Sequence, residues 1–92
     1  MQELDGLWKV RRLGGALPPL VGVTKHVSGD RGETRVGPLV RMPFDVRGLE
    51  LRYRRPLGMF VDVLEPDGDG FRGRATVLGR EYGTFELRRT SA

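Results

Sequence analysis

Few residues in this chain could do chemistry. Asp62 stands alone as an acid inside the apolar run Met59-Phe60-Val61-Asp62-Val63-Leu64. A carboxylate enclosed by apolar side chains can act as a general base, and a tyrosine near it, Tyr53, can serve as the acid. The same residues with Arg12 and Tyr82 can instead orient a small, mainly hydrophobic ligand, or Arg12 and Asp62 can form a buried ion pair in a filled core. The chain has one histidine and no cysteine, which excludes thiolate metal sites, disulfides and any site needing two imidazoles. His26 and Ser28 with Asp30 are triad residue types, but no nucleophile-elbow pattern surrounds Ser28. His26 as a lone haem ligand is conceivable; a surface or core histidine is the ordinary reading, and no cofactor is expected. Asp67-Gly68-Asp69-Gly70 starts like a calcium loop without its later ligands, and a hairpin turn accounts for it. No phosphate-binding loop is present.

These residues need a scaffold, and the composition restricts it. The chain has 92 residues, the size of one small domain spanning 1–92. Gly and Pro together number 20, from 14 and 6. The stretches free of both never exceed nine residues, whereas a mean helix runs to about 11. Helix is therefore excluded beyond a short turn. No apolar stretch approaches the roughly 20 residues of a membrane helix. The N-terminus Met1-Gln2-Glu3-Leu4-Asp5 is acidic, unlike a signal peptide, so a cytoplasmic location and no membrane contact are expected. The net charge is +4, but 14 of the 16 basic residues are Arg, the bias of a GC-rich genome.

Eight strands are expected, at 7–13, 20–28, 33–36, 39–46, 49–55, 59–65, 71–78 and 82–89, with Gly or Pro between them. The break at Gly37-Pro38 decides between seven strands and eight. Alternation gives most strands one apolar face: Trp8 and Val10 in the first, Leu49, Leu51 and Tyr53 in the fifth, Phe85 and Leu87 in the eighth. The 59–65 strand is apolar on both faces, which predicts a homodimer through its outer face. Open edges would aggregate, and closing the sheet removes them. An up-and-down meander closes antiparallel only with an even number of strands, which favours eight. The fold class is all-β: an antiparallel up-and-down barrel. Arg52, Arg54, Arg72 and Arg74 alternate on outward positions, while Tyr53 and Phe71 point the other way. Bases could not stack beside those arginines, so nucleic acid is not the expected partner.

Gly6-Leu7-Trp8 opening the first strand resembles the Gly-x-Trp signature of the lipocalins and the wider calycin group. The ending, Phe71-Arg72-Gly73-Arg74 through Gly83-Thr84-Phe85-Glu86-Leu87-Arg88-Arg89, resembles the last hairpin of such a barrel. The family's Thr-Asp-Tyr motif has no counterpart. The resemblance implies that Arg89 packs across Trp8 beside Gly6, closing one end as a structural cluster. It also implies that the loop after the first strand, 14–19, covers the open mouth. Strand direction places Arg12, Tyr53, Arg55, Phe60 and Tyr82 towards that mouth, with Leu17, Pro18, Pro19 and Leu20 as an apolar rim.

The expected function is binding of a small, mainly hydrophobic molecule at the mouth by Arg12, Leu17, Leu20, Tyr53, Phe60, Asp62 and Tyr82. The alternative is a small barrel enzyme of isomerase or cyclase type using Asp62 and Tyr53. A third reading is a filled barrel whose role is assembly through the 59–65 face.

Overall fold

Alternation of apolar and polar residues in most segments, broken at short intervals by Gly- and Pro-containing turns, gives eight antiparallel strands. The computed structural model describes residues 4–90, so Met1–Glu3 of the acidic N-terminus lie outside the described residues. The strands are β1 (Gly6–Gly15), β2 (Val23–Ser28), β3 (Arg31–Val36), β4 (Val40–Arg47), β5 (Glu50–Tyr53), β6 (Phe60–Asp67), β7 (Gly70–Val77) and β8 (Arg80–Arg89). Each pairs with the next, and β8 returns to β1, closing the barrel. Gly37-Pro38 separates two strands, so the count is even and closure is antiparallel.

Most boundaries shift by one to three residues, and turn chemistry explains them. Three hairpins, at 29–30, 48–49 and 68–69, put glycine at the first turn position with φ of 64°, 59° and 62°. This two-residue turn matches the twist of the flanking strands, so pairing runs to its edges and lengthens β3 and β6. Residues 20–22 leave β2, because Val23 N–H closes a turn on Leu20 O and Gly22 is left-handed at φ 77°. Residues 54–55 likewise leave β5.

The inward positions form one core. Trp8, Phe44, Leu51, Phe71 and Leu87 are fully buried. Trp8 meets Phe71 edge-on, with ring centroids 5.4 Å apart. The cluster expected at the closed end is present: Trp8 pairs with Arg89, whose guanidinium carbon sits 4.3 Å from the indole centroid. Arg89 also donates to Asp5 O at 2.9 Å, and a side chain on Gly6 would collide with it. The Trp8 indole N–H donates to Leu4 O at 2.7 Å. Together these contacts tie the chain entering β1 to the strand that completes the barrel.

On the outer face of β6, Val61 and Val63 are half-buried within the single chain. The register sets Arg52 and Thr76 beside Val61, and Glu50 and Arg74 beside Val63. This face is a mixed surface rather than a bare apolar stripe.

Candidate functional site

Two large aromatic rings lie over glycines and clear space above them. Phe85 pairs across the sheet with Gly73, and Phe44 with Gly32. A Cβ on Gly73 would fall 2.2 Å from the Phe85 ring, and one on Gly32 would fall 2.7 Å from the Phe44 ring. Only glycine lets the rings lie this flat against the opposite strand.

Above the rings stands a buried polar cluster. Lys25 projects inward from β2, because Val23, Lys25 and Val27 share one face. Its Nζ donates to Thr34 Oγ1 at 2.7 Å and to Tyr53 OH at 2.7 Å, and it lies 3.0 Å from Asp62 Oδ2. The Lys25 and Asp62 side chains are 4% and 8% exposed. Thr34 Oγ1 and Tyr53 OH are 2.6 Å apart, and the Tyr53 hydroxyl is 3.4 Å from Asp62 Oδ2. The ammonium also lies within 5.3–5.5 Å of the Phe44, Tyr53 and Phe85 ring centroids. Such placement favours the cation through the ring quadrupoles. Burial opposes the Lys25 charge, but the Asp62 carboxylate and the Tyr53 oxygen outweigh it and raise its pKa above the ordinary lysine value. Burial likewise pushes the Tyr53 hydroxyl up.

The cluster forms the polar floor of a cavity of about 380 Å³ that opens at the end of the barrel. The walls are otherwise apolar: Val10, Leu17, Leu20, Val23, Val36, Met42, Leu57, Phe60, Ala75 and Phe85, with Tyr82 at one side. Phe60 and Tyr82 meet edge-on at 6.1 Å. Burial raises the Tyr82 hydroxyl pKa, with Asp62 adding to the effect. Loop 16–22 lies over the mouth, and Leu17 seats on Gly83, where a Cβ would be 2.5 Å from Leu17 Cγ. The wall is also parted. β1 and β2 pair only from Gly6↔Val27 to Lys9↔Thr24, and above that an outer groove of about 920 Å³ runs beside the loop. Val10, Leu17, Leu20 and Val23 border both spaces, so the loop together with the β1 and β2 side chains beside it separates the cavity from this side opening.

Of the expected site residues, Leu17, Leu20, Tyr53, Phe60, Asp62 and Tyr82 line the cavity. Arg12 does not. It pairs with inward-facing Phe85, but β1 has lost its β2 neighbour at that height. The exposed Arg12 side chain donates instead to Leu17 O at 2.8 Å and to Gly15 O, fastening the loop. The ion-pair partner of Asp62 is therefore Lys25 and not Arg12. Comparison of the chain with family models, curated proteins and solved structures finds no match.

The expectation of a lone carboxylate in apolar surroundings does not hold, because an ammonium stands 3.0 Å from Asp62. The other chemical candidates are dispersed. His26 lies on the outer surface among Glu33, Arg35 and Arg41, and burial followed by the Arg35 charge lowers its pKa. Ser28 and Asp30 are exposed, and Asp30 pairs with Arg31 at 3.6 Å. Asp67 precedes and Asp69 sits in a hairpin turn, and they face Arg88 at 3.1 and 3.5 Å. Among the described residues no group of three or more acidic or histidine side chains converges as metal ligands, and no helix is long and apolar enough to cross a membrane. Of the outward arginines, Arg52, Arg54 and Arg74 each face a carboxylate, at 2.7, 2.8 and 3.8 Å.

Sequence reading missed Lys25 and Thr34. The signal for Lys25 was the spacing Val23-x-Lys25-x-Val27, which places a cation on an apolar face.

Proposed function

We propose that the barrel binds a small, mainly hydrophobic, uncharged molecule carrying a hydroxyl group, held tail-up beneath loop 16–22, in the manner of the lipocalin-like barrels its two ends resemble. The observation that carries this reading is an apolar cavity with a few converging polar groups at one place, the usual form of a small-molecule site. Its size, about 380 Å³, falls within the range of such sites.

The head group follows from counting protons. A lysine ammonium has three donors. Those of Lys25 go to Thr34 Oγ1, Tyr53 OH and Asp62 Oδ2. None is left for an incoming carboxylate, which would also bring a second negative charge beside Asp62 in a poorly solvated place. The second Asp62 oxygen, Oδ1, takes part in none of these bonds and can accept from a ligand hydroxyl. The floor thus offers an acceptor and repels an anion, and an uncharged donor suits it.

Competition binding tests this. A fluorescent apolar probe is bound to the purified full chain and displaced by a medium-chain alcohol or by the carboxylate of the same length. The alcohol is expected to compete more tightly. A probe that never binds would refute the cavity reading; a carboxylate that competes better would refute the assignment of the head group alone.

A further inference from the structure

Strand direction sends four connections to the open end of the barrel: residues 16–22, 37–39, 54–59 and 78–79. Each holds a large apolar side chain out in solvent. Val21 is 89% exposed, Leu39 90%, Met59 47% and Leu78 81%. Exposed apolar residues scattered singly are ordinary. Here every connection at one end carries one, whereas of the three hairpin turns at the other end two carry Asp30 and Asp69 and only the third an apolar tip, Leu49 at 39%.

Leu78 is the most telling. It opens a two-residue hairpin turn with φ 52°, followed by Gly79 at φ 81°. Turns with both residues left-handed favour Asn, Asp and Gly. Leucine is disfavoured there by the backbone and by water, and at 81% exposure the fold itself gives it little packing. Leu78 N–H donates to Met59 O at 2.9 Å, so two of the apolar tips lie side by side.

Arginines accompany the tips. Arg80 follows Leu78, Arg55 lies in the 54–59 connection, Arg41 follows Leu39 and Val40, and Arg12 fastens the base of loop 16–22. Among the described residues, Arg12, Arg55 and Arg80 enter no ion pair with a carboxylate.

We propose that the open end of the barrel docks onto an anionic lipid surface. The apolar tips enter the boundary between headgroups and acyl chains, and the arginines meet the lipid phosphates. Surface-bound proteins combine these two features, apolar side chains to bury and cations to match the negative headgroups. The charge argues against a second copy as the occupant, because two open ends face to face would set arginine against arginine. Docking does not depend on the cavity being a ligand site. If it is one, docking brings its mouth to the lipid, and an apolar ligand passes without crossing water.

The test is co-sedimentation of the full chain with vesicles of phosphatidylcholine alone and of phosphatidylcholine mixed with phosphatidylglycerol. Binding is expected on the mixed vesicles only. It should weaken as salt rises from about 0.01 to 0.15 M, where the screening length shortens from about 30 to 8 Å. Leu78→Asn removes an apolar tip while relieving the turn, so it should bind several-fold more weakly with an unchanged or higher melting temperature. Arg55→Gln and Arg80→Gln should each weaken binding by about five-fold. Absence of binding to anionic vesicles at low salt would overturn the proposal, as would equal binding to both vesicle types, or binding indifferent to Leu78→Asn. A dimer in light scattering that Leu78→Asn abolishes would also overturn it, making this end an interface between copies.

Discussion

Replacing Lys25 by Met tests whether the polar floor is an interdependent unit. Met keeps an unbranched side chain and removes the ammonium, leaving the Asp62 carboxylate buried without its partner. Breaking a buried ion pair from one side costs about 3–5 kcal/mol. A domain of this kind is stable by only about 5–15 kcal/mol in total. Each kcal/mol shifts the melting temperature of a 60–100-residue domain by about 4–8 °C, so the expected fall is about 12–40 °C. Lys25→Met/Asp62→Leu removes both charges and should cost less than Lys25→Met alone, since apolar replacement of a whole buried pair is often neutral. The assay is urea unfolding followed by the fluorescence of Trp8, the chain's single tryptophan, which is fully buried. The reasoning is refuted if Lys25→Met costs under about 1 kcal/mol, or if the double variant costs the sum of the two single ones. Independent sites add to within about 0.5 kcal/mol.

The same cluster sets an alkaline limit. Lys25 and Tyr53 both have raised pKa values in the folded state, above the ordinary 10.5 and 10.0. Unfolded chains lose these protons first as pH rises, so the stabilisation is complete below about pH 10 and declines above it. Urea midpoints across this range should fall, and fall less in Lys25→Met/Asp62→Leu; a midpoint that rises with pH would contradict the assignment. Gly83→Ala should push Leu17 off its seat, cost about 1–3 kcal/mol by overpacking and speed release of a bound apolar probe in stopped flow. Arg12→Ala should also speed release, with a smaller loss of stability because its side chain is exposed. Arg89→Met removes the guanidinium over Trp8, a contact worth about 0.5–2 kcal/mol, and should lower the urea midpoint while leaving probe affinity unchanged. Self-association through β6 predicts a dimer mass in light scattering that Val63→Asp reduces to the monomer; a wild-type monomer mass would contradict it.

The barrel was legible because its cause is local. Gly and Pro fix where strands stop, alternation fixes which side chains turn inward, and an even strand number fixes closure. Trp8 against Arg89 was implied by the resemblance, and the same parity agreed with it, since the first and last strands must meet. The site was legible in part. Tyr53, Phe60, Asp62 and Tyr82 lie on strands whose parity is regular, and they reach the cavity as expected. Arg12 was misplaced because parity assigns a face but not the presence of a neighbouring strand. β1 loses β2 above Lys9, and the side chain takes the loop carbonyls that this gap leaves within reach. Lys25 was overlooked because its charge suggested solvent, although its spacing from Val23 and Val27 placed it inside. Its partners, Thr34 and Tyr53, come from two other strands, and only the closed barrel brings all three to Asp62.

The most direct test of the central claim is native mass spectrometry of the freshly purified full chain. A small adduct that leaves on denaturation, with the mass of an uncharged hydroxyl-bearing apolar molecule, is the predicted result. A chain that carries no adduct and takes up none when offered medium-chain alcohols would contradict it.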